Sequence, residues 1–146
     1  MTASFLKSLL LVIATLCTTP AWSIWYFLGI QNGVVTDIDT DTVRTVGNNR
    51  SLWILQNYPM TNVYGAKSMA IQLEIDCKAD LIRYTKIIGY TGEIQTGYTK
   101  VMANVPGAWD KILYGSLHKS IQHEACLKKL PINKVYTTKW ETSKKL

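Results

Sequence analysis

Met69-Ala-Ile-Gln-Leu-Glu-Ile-Asp-Cys77 decides the fold. Its odd positions are Met69, Ile71, Leu73, Ile75 and Cys77, all apolar, and its even ones are Ala70, Gln72, Glu74 and Asp76. Side chains alternate between the two faces of a sheet, so this pattern describes a strand with one buried face and Cys77 turned inward at its end. Lys78-Ala-Asp80 makes a turn into Leu81-Ile-Arg-Tyr-Thr-Lys-Ile-Ile88, whose β-branched and aromatic residues suit a paired neighbour. Outward on both sides, turn signals recur at short intervals between alternating runs, the pattern of a mainly antiparallel sheet.

Upstream, Trp25-Tyr-Phe-Leu-Gly-Ile30 reads as a first strand, Gln31-Asn-Gly33 as a hairpin turn that tolerates positive φ, and Val34-Val-Thr-Asp-Ile38 as a second strand. Asp39 to Val43 is expected to form a turn or a single helical turn. Gly47-Asn-Asn49 then punctuates before Ser51-Leu-Trp-Ile-Leu-Gln-Asn-Tyr58, which Pro59 ends because proline donates nothing to a ladder. Downstream, Thr91-Gly92 and Gly97 bracket a shorter strand, either Glu93 to Gln95 or Tyr98 to Met102. After Pro106-Gly107 the period changes: Ser116 caps a helix to about Lys129 with Leu117, Ile121 and Ala125 on one apolar stripe, and Pro131 closes it. Cys126 lies near the edge of that stripe, so a helix laid on the sheet aims it at Cys77. Trp25, Trp53 and Trp109 fall in or beside these elements and are expected to pack in the core.

The N-terminal stretch reads as an export signal over residues 1–23. Lys7 supplies the positive charge, Leu9-Leu-Leu-Val-Ile-Ala-Thr-Leu16 the apolar run, and Ala21 and Ser23 the small residues of a cleavage site. The apolar run is too short to cross a hydrocarbon core as a helix, so no transmembrane helix is expected. Cys17 offers a second route, lipidation as the first residue of a lipoprotein, but Leu16 stands where that processing takes a small residue. Cleavage after Ala21 or Ser23 removes Cys17 and leaves an even pair, Cys77 and Cys126, suited to one disulfide in an oxidising compartment.

Charge is distributed unevenly. From Lys111 to Leu146 there are eight lysines, at 111, 119, 128, 129, 134, 139, 144 and 145, against Glu124 and Glu141. The chain from residue 24 to 110 is near balance. Residues 131–146 therefore form a basic C-terminal tail after a domain over 24–130. Lys119, Lys128, Lys129, Lys134 and Lys139 make the candidate surface for a protein or an anionic envelope or host polymer. Nucleic acid is not expected as a partner of an exported chain.

No chemistry-bearing motif is complete. Asp37-Ile-Asp39-Thr-Asp41 begins like a calcium loop, but Thr42 and Asn48 occupy the positions that need glycine and glutamate, so these acids are read as capping a turn and ending a strand. His118 and His123 are five residues apart, about 140° around a helix, too far to face one metal, and are read as surface residues. There is no Gly-x-Ser-x-Gly elbow, phosphate loop or dinucleotide fingerprint. No catalytic residue, metal ligand or cofactor is assigned, and the chain is not expected to be an enzyme. Asn49-Arg-Ser51 matches a glycosylation acceptor, relevant only in a glycosylating host.

The order of marks resembles the bacterial surface-adhesin protein E family. An export signal precedes Trp25, then come Asp37-Ile-Asp39 leading into Thr42-Val43-Arg44, the strand around Trp53, Ile75-Asp-Cys77, and Trp109 before a final helix bearing Cys126. The resemblance covers roughly Trp25 to Lys128. It implies an α+β fold: a small antiparallel β-sheet packed against a C-terminal helix tethered by one disulfide, with Trp25, Trp53 and Trp109 in the core. It also implies a non-enzymatic envelope protein of a Gram-negative bacterium, since the best-known member is a surface lipoprotein that binds host matrix and serum proteins. Residues 129–146 have no counterpart in the family pattern. The expected location is periplasmic, or the outer surface if Cys17 is lipidated. The readings from other classes are a periplasmic small-ligand carrier or hydrolase with a scattered site, and an assembly factor that adds a strand at a sheet edge.

Overall fold

The computed structural model describes residues 25–127. They form β1 (Tyr26–Gln31), β2 (Val34–Val46), β3 (Asn49–Asn57), β4 (Ser68–Asp76), β5 (Leu81–Tyr90), β6 (Thr99–Ala103), β7 (Asp110–Lys111) and helix α1 (Leu117–Cys126). One antiparallel sheet runs in the order β1-β2-β3-β4-β5-β6, and β7 also pairs with β5. From β1 to β6 each strand pairs with the next in sequence, as short connections favour, and β7 alone turns back to β5. The β1–β2 turn holds Asn32 at φ 53° and Gly33 at φ 78°, the two positive values that an Asn-Gly hairpin turn needs.

Register carries the β4 alternation across the sheet. Leu73 stands between Leu52 and Tyr84, Ile71 between Ile54 and Ile87, and Ile54 pairs in turn with Ile38. Leu52, Ile54, Leu73, Ile71 and Ile38, with Met69, Ile75 and Ile82, form the core, half-buried Tyr84 and Ile87 pack against it, and Ile121 and Ala125 of α1 pack into it. Ser116 caps the helix, its Oγ accepting from Lys119 N at 3.3 Å. The Cys77–Cys126 disulfide joins the end of the helix to the start of the β4–β5 turn. The sheet with its disulfide-tethered helix is therefore as expected, although among the described residues one ten-residue helix beside seven strands makes the domain mostly sheet.

Two expectations are corrected. Residues 39–43 do not leave the sheet: β2 runs through them as a wide bulge, its pairing passing from Asp39↔Trp53 to Arg44↔Ser51. Local hydrogen bonds hold that bulge, with Asp39 Oδ1 accepting from Asp41 N and Thr42 Oγ1 taking the amide of Trp53. The turn-like chemistry of Asp and Thr was real, but it bends a strand instead of ending one. The tryptophans do not build the core either. Trp25, Trp53 and Trp109 are half-buried and absent from the core cluster, which is aliphatic. Register turns Trp53 to the face opposite α1, beside Asp39 and Gln72. Arg83 stacks 4.4 Å above Trp109 while gripping Glu74 through Nε and Nη2. Of the two candidate short strands, the later one forms, as β6.

Candidate functional site

The helix brings one member of the lysine set into view. Lys119 Nζ lies 2.8 Å from Asp80 Oδ1 in the β4–β5 turn, and Gln122 Nε2 donates to the same oxygen at 2.8 Å. The hydrogen bond from Lys119 holds the Asp80 carboxyl below its ordinary range, and that from Gln122 adds to it. Lys119 is thus engaged inside the chain, where it secures the helix to the turn that carries Cys77. Lys128, Lys129, Lys134 and Lys139 lie outside the described residues, as do Cys17 and the proposed signal.

The two histidines separate. His123 is exposed, but His118 is half-buried, sharing a hydrogen bond of 3.0 Å with Tyr84 Oη and meeting its ring edge-on. Burial lowers the His118 pKa, and nearby Asp110 opposes that shift. The surface role expected of His118 is therefore corrected, because the helix turns its ring toward the sheet. A broad open depression of about 480 Å³ runs along the outer side of α1, lined by Leu28, Tyr114, Ser116, Lys119, His123 and Glu124. Ser120, His123 and Glu124 share this depression with Ser116, which is occupied as the helix cap, whereas His118 is engaged by Tyr84 and does not line it. A smaller recess of about 160 Å³ lies beside Leu117, the first residue of the helix, and the β1–β2 turn, where the buried Thr36 hydroxyl has no hydrogen-bond partner among the described residues. No group of three or more His, Cys, Asp or Glu among the described residues is placed to hold a metal.

The sheet face opposite the helix holds the feature that sequence reading missed. Register aligns Phe27, Asp37, Leu55, Ala70, Ile88 and Val101 in one row across the strands. Leu55 and Ala70 are buried in it. Between apolar neighbours, Asp37 Oδ2 accepts one long contact among the described residues, 3.5 Å from Asn57 Nδ2, and burial pushes its carboxyl up to about 6. The native state therefore holds this proton more tightly than the unfolded chain. Stability contributed by the protonated form is present below pH 3.8 and is lost as pH rises toward 6. Full conversion of that shift would be about 3 kcal/mol, and partial exposure of the carboxyl reduces it to about 1 kcal/mol. Asp37→Asn is expected to raise stability by about this amount at neutral pH and to leave it unchanged at pH 3, measured by urea unfolding at both. Equal midpoint shifts at the two pH values would sink this account. Alternation places Asp37 on the face opposite Ile38, but that this face brings it beside Leu55 is set by pairing with β3, which leaves no local mark in the sequence.

The sequence model of surface-adhesin protein E matches residues 25–127. No curated protein sequence matches the chain. Among solved structures, crystal form II of Haemophilus influenzae protein E superposes with a TM-score of 0.54 at 11% identity, covering 74% of this chain and 91% of that one. Protein E from non-typeable Haemophilus influenzae gives a TM-score of 0.49 at 15% identity, covering 71% and 76% of the two chains. The first of these likenesses is one of fold.

Proposed function

The chain belongs to the surface-adhesin protein E family, and on that premise we propose that it is an exported, non-enzymatic envelope protein that binds a protein or an anionic envelope or host polymer. The family match over the whole described domain carries this reading, and the disulfide clamp supports it, since such a bond persists in an oxidising compartment outside the cytosol. No helix among the described residues is long and apolar enough to cross a membrane. Residues 1–23 act as the export signal, 24–130 as the binding domain and 131–146 as a basic tail. The mature chain resides in the periplasm after cleavage beyond Ala21 or Ser23, and on the outer surface if processing stops at Cys17. Fractionation with N-terminal sequencing tests this part: a mature chain beginning at Trp22 or Ile24 in the periplasmic fraction is expected. Uncleaved chain in the cytosol refutes export.

The candidate contact surface comprises Lys119, Lys128, Lys129, Lys134 and Lys139. Lys119 must leave Asp80 to take part, so it is expected to contribute least. Replacing the other four with glutamine is expected to weaken binding to immobilised heparin, a polyanion probe, and to flatten its salt dependence; unchanged retention assigns these lysines to solvent. A second reading, strand addition by an assembly factor, is favoured by one observation. The outer strands β1 and β6 leave the sheet with two ends, and Phe27, Ile30 and Val101 are exposed along them.

A further inference from the structure

The loops after β3 and β5 lie at one end of the sheet and are bound to each other. Lys67 N donates to Tyr90 O at 2.8 Å, Ser68 Oγ donates to Gly92 O at 2.7 Å, and Lys67 Nζ pairs with Glu93 at 2.9 Å. From this joined end project Met60, Val63, Tyr64 and Tyr98, exposed by 77%, 93%, 69% and 86%, with Ile94 beside them. Protruding apolar groups on two tied loops form a patch that needs an explanation beyond scattered surface hydrophobics.

Most of the backbone beneath these side chains is satisfied from within. Asn62 Oδ1 accepts from the amides of Tyr64 and Ala66, both at 3.0 Å, and Gly65 N reaches Asn62 O at 2.9 Å. In the second loop Ile94 N donates to Asn57 Oδ1 at 2.9 Å, Gln95 N to Ser68 Oγ at 3.1 Å and Tyr98 N to Thr91 Oγ1 at 3.0 Å. Ile94 and Gln95 are held at φ 50° and 61°, where a β-branched residue is rare, so these side-chain clamps over-determine the loop shape. A loop end that meets most of its amide donors internally and whose lysine and glutamate neutralise each other strands few polar groups in the interfacial layer, where the amides of Met60, Thr61 and Val63 can still meet water and headgroups. Tyrosine adds a ring that buries and a hydroxyl that stays at the headgroup level.

We propose that this end of the sheet is a lipid-docking surface that inserts Met60, Val63, Tyr64 and Tyr98 into the interfacial layer of a bilayer. A lipid surface fits better than a protein pocket because the end is a projection with paired charge, and a bilayer accepts a projection without a complementary cavity. The proposal goes beyond the binding function above and uses none of the lysines assigned to it.

The test is co-sedimentation of the mature, disulfide-bonded chain with phosphatidylcholine vesicles and with vesicles that also contain phosphatidylglycerol, at low and high salt. Binding to both compositions is expected, little changed by salt, and weakened about tenfold by Val63→Asp, with a similar loss for Tyr98→Ser. Both positions are so exposed that folding should be untouched, and circular dichroism checks this. No sedimentation with either vesicle overturns the proposal. So does binding that high salt abolishes and the two substitutions leave intact, which would assign it to the lysines. If vesicles fail to bind while the same substitutions abolish attachment to a purified protein partner, the surface is a protein contact and the lipid proposal is likewise overturned.

Discussion

Replacing both Cys77 and Cys126 with serine is expected to lower the unfolding free energy by about 4 kcal/mol. The bond joins residues 49 apart in sequence, and a closed loop of that size restricts the unfolded chain by about this amount in the chain-entropy account. Set against a net stability of about 5–15 kcal/mol for a small domain, the loss is severe. Its structural expression should be local first. A helix of ten residues is shorter than the roughly 12–15 that even a good helix former needs in water, so α1 depends on its docking. Without the bond, that docking rests on Ile121 and Ala125 in the core, Leu117 beside them, and the Lys119 and Gln122 contacts to Asp80. Helix amides should exchange with solvent well before those of β3 and β4, and urea unfolding of the wild type under reductant should reproduce the shift. A loss below about 1 kcal/mol, with helix exchange unchanged, would falsify the view of the bond as the main tether.

Leu73→Ala is expected to cost about 3 kcal/mol. Leu73 is fully buried at the centre of β4, between Leu52 and Tyr84 and under the helix side of the core. Its removal forfeits the transfer free energy of the side chain and leaves a cavity whose walls, paired strands on either side, cannot collapse into it. Val46→Ala, at a site 46% exposed, serves as the control and should change stability by less than about 0.5 kcal/mol. Chemical denaturation with an unchanged m-value measures both. Similar effects at the two sites would mean that the β4 alternation does not mark the core.

Several features of the fold could be read from the chain because they are local. The Asn32-Gly33 turn follows from two residues that tolerate positive φ, and Ser116 caps its helix through an oxygen three residues from the amide it serves. The inward turn of Cys77 follows from strand parity. The continuation of β2 was hidden because Asp39, Asp41 and Thr42 satisfy their own backbone as they would in a turn, and only the opposing strand converts that chemistry into a bulge. The tryptophans were misplaced for a related reason: size argues for burial, but register decides the face. Lys119 looked like a free cation because its partner, Asp80, lies 39 residues away. The lysines beyond it fall outside the described residues, so the structure bears on one member of that set alone.

The sequence by itself determined the alternating strand, the hairpin turn, the capped helix and a pair of cysteines placed to join helix to sheet. Each rests on residues within a turn or a strand of one another, where chain geometry leaves few options. The tertiary structure decided which face Trp53 occupies, where His118 points, how Asp37 comes to sit among apolar neighbours, and that the loops carrying Val63 and Tyr98, distant in sequence, are tied at one end of the sheet. Those outcomes depend on strand register, and register is set by bulges and long-range packing that no single segment of the chain encodes.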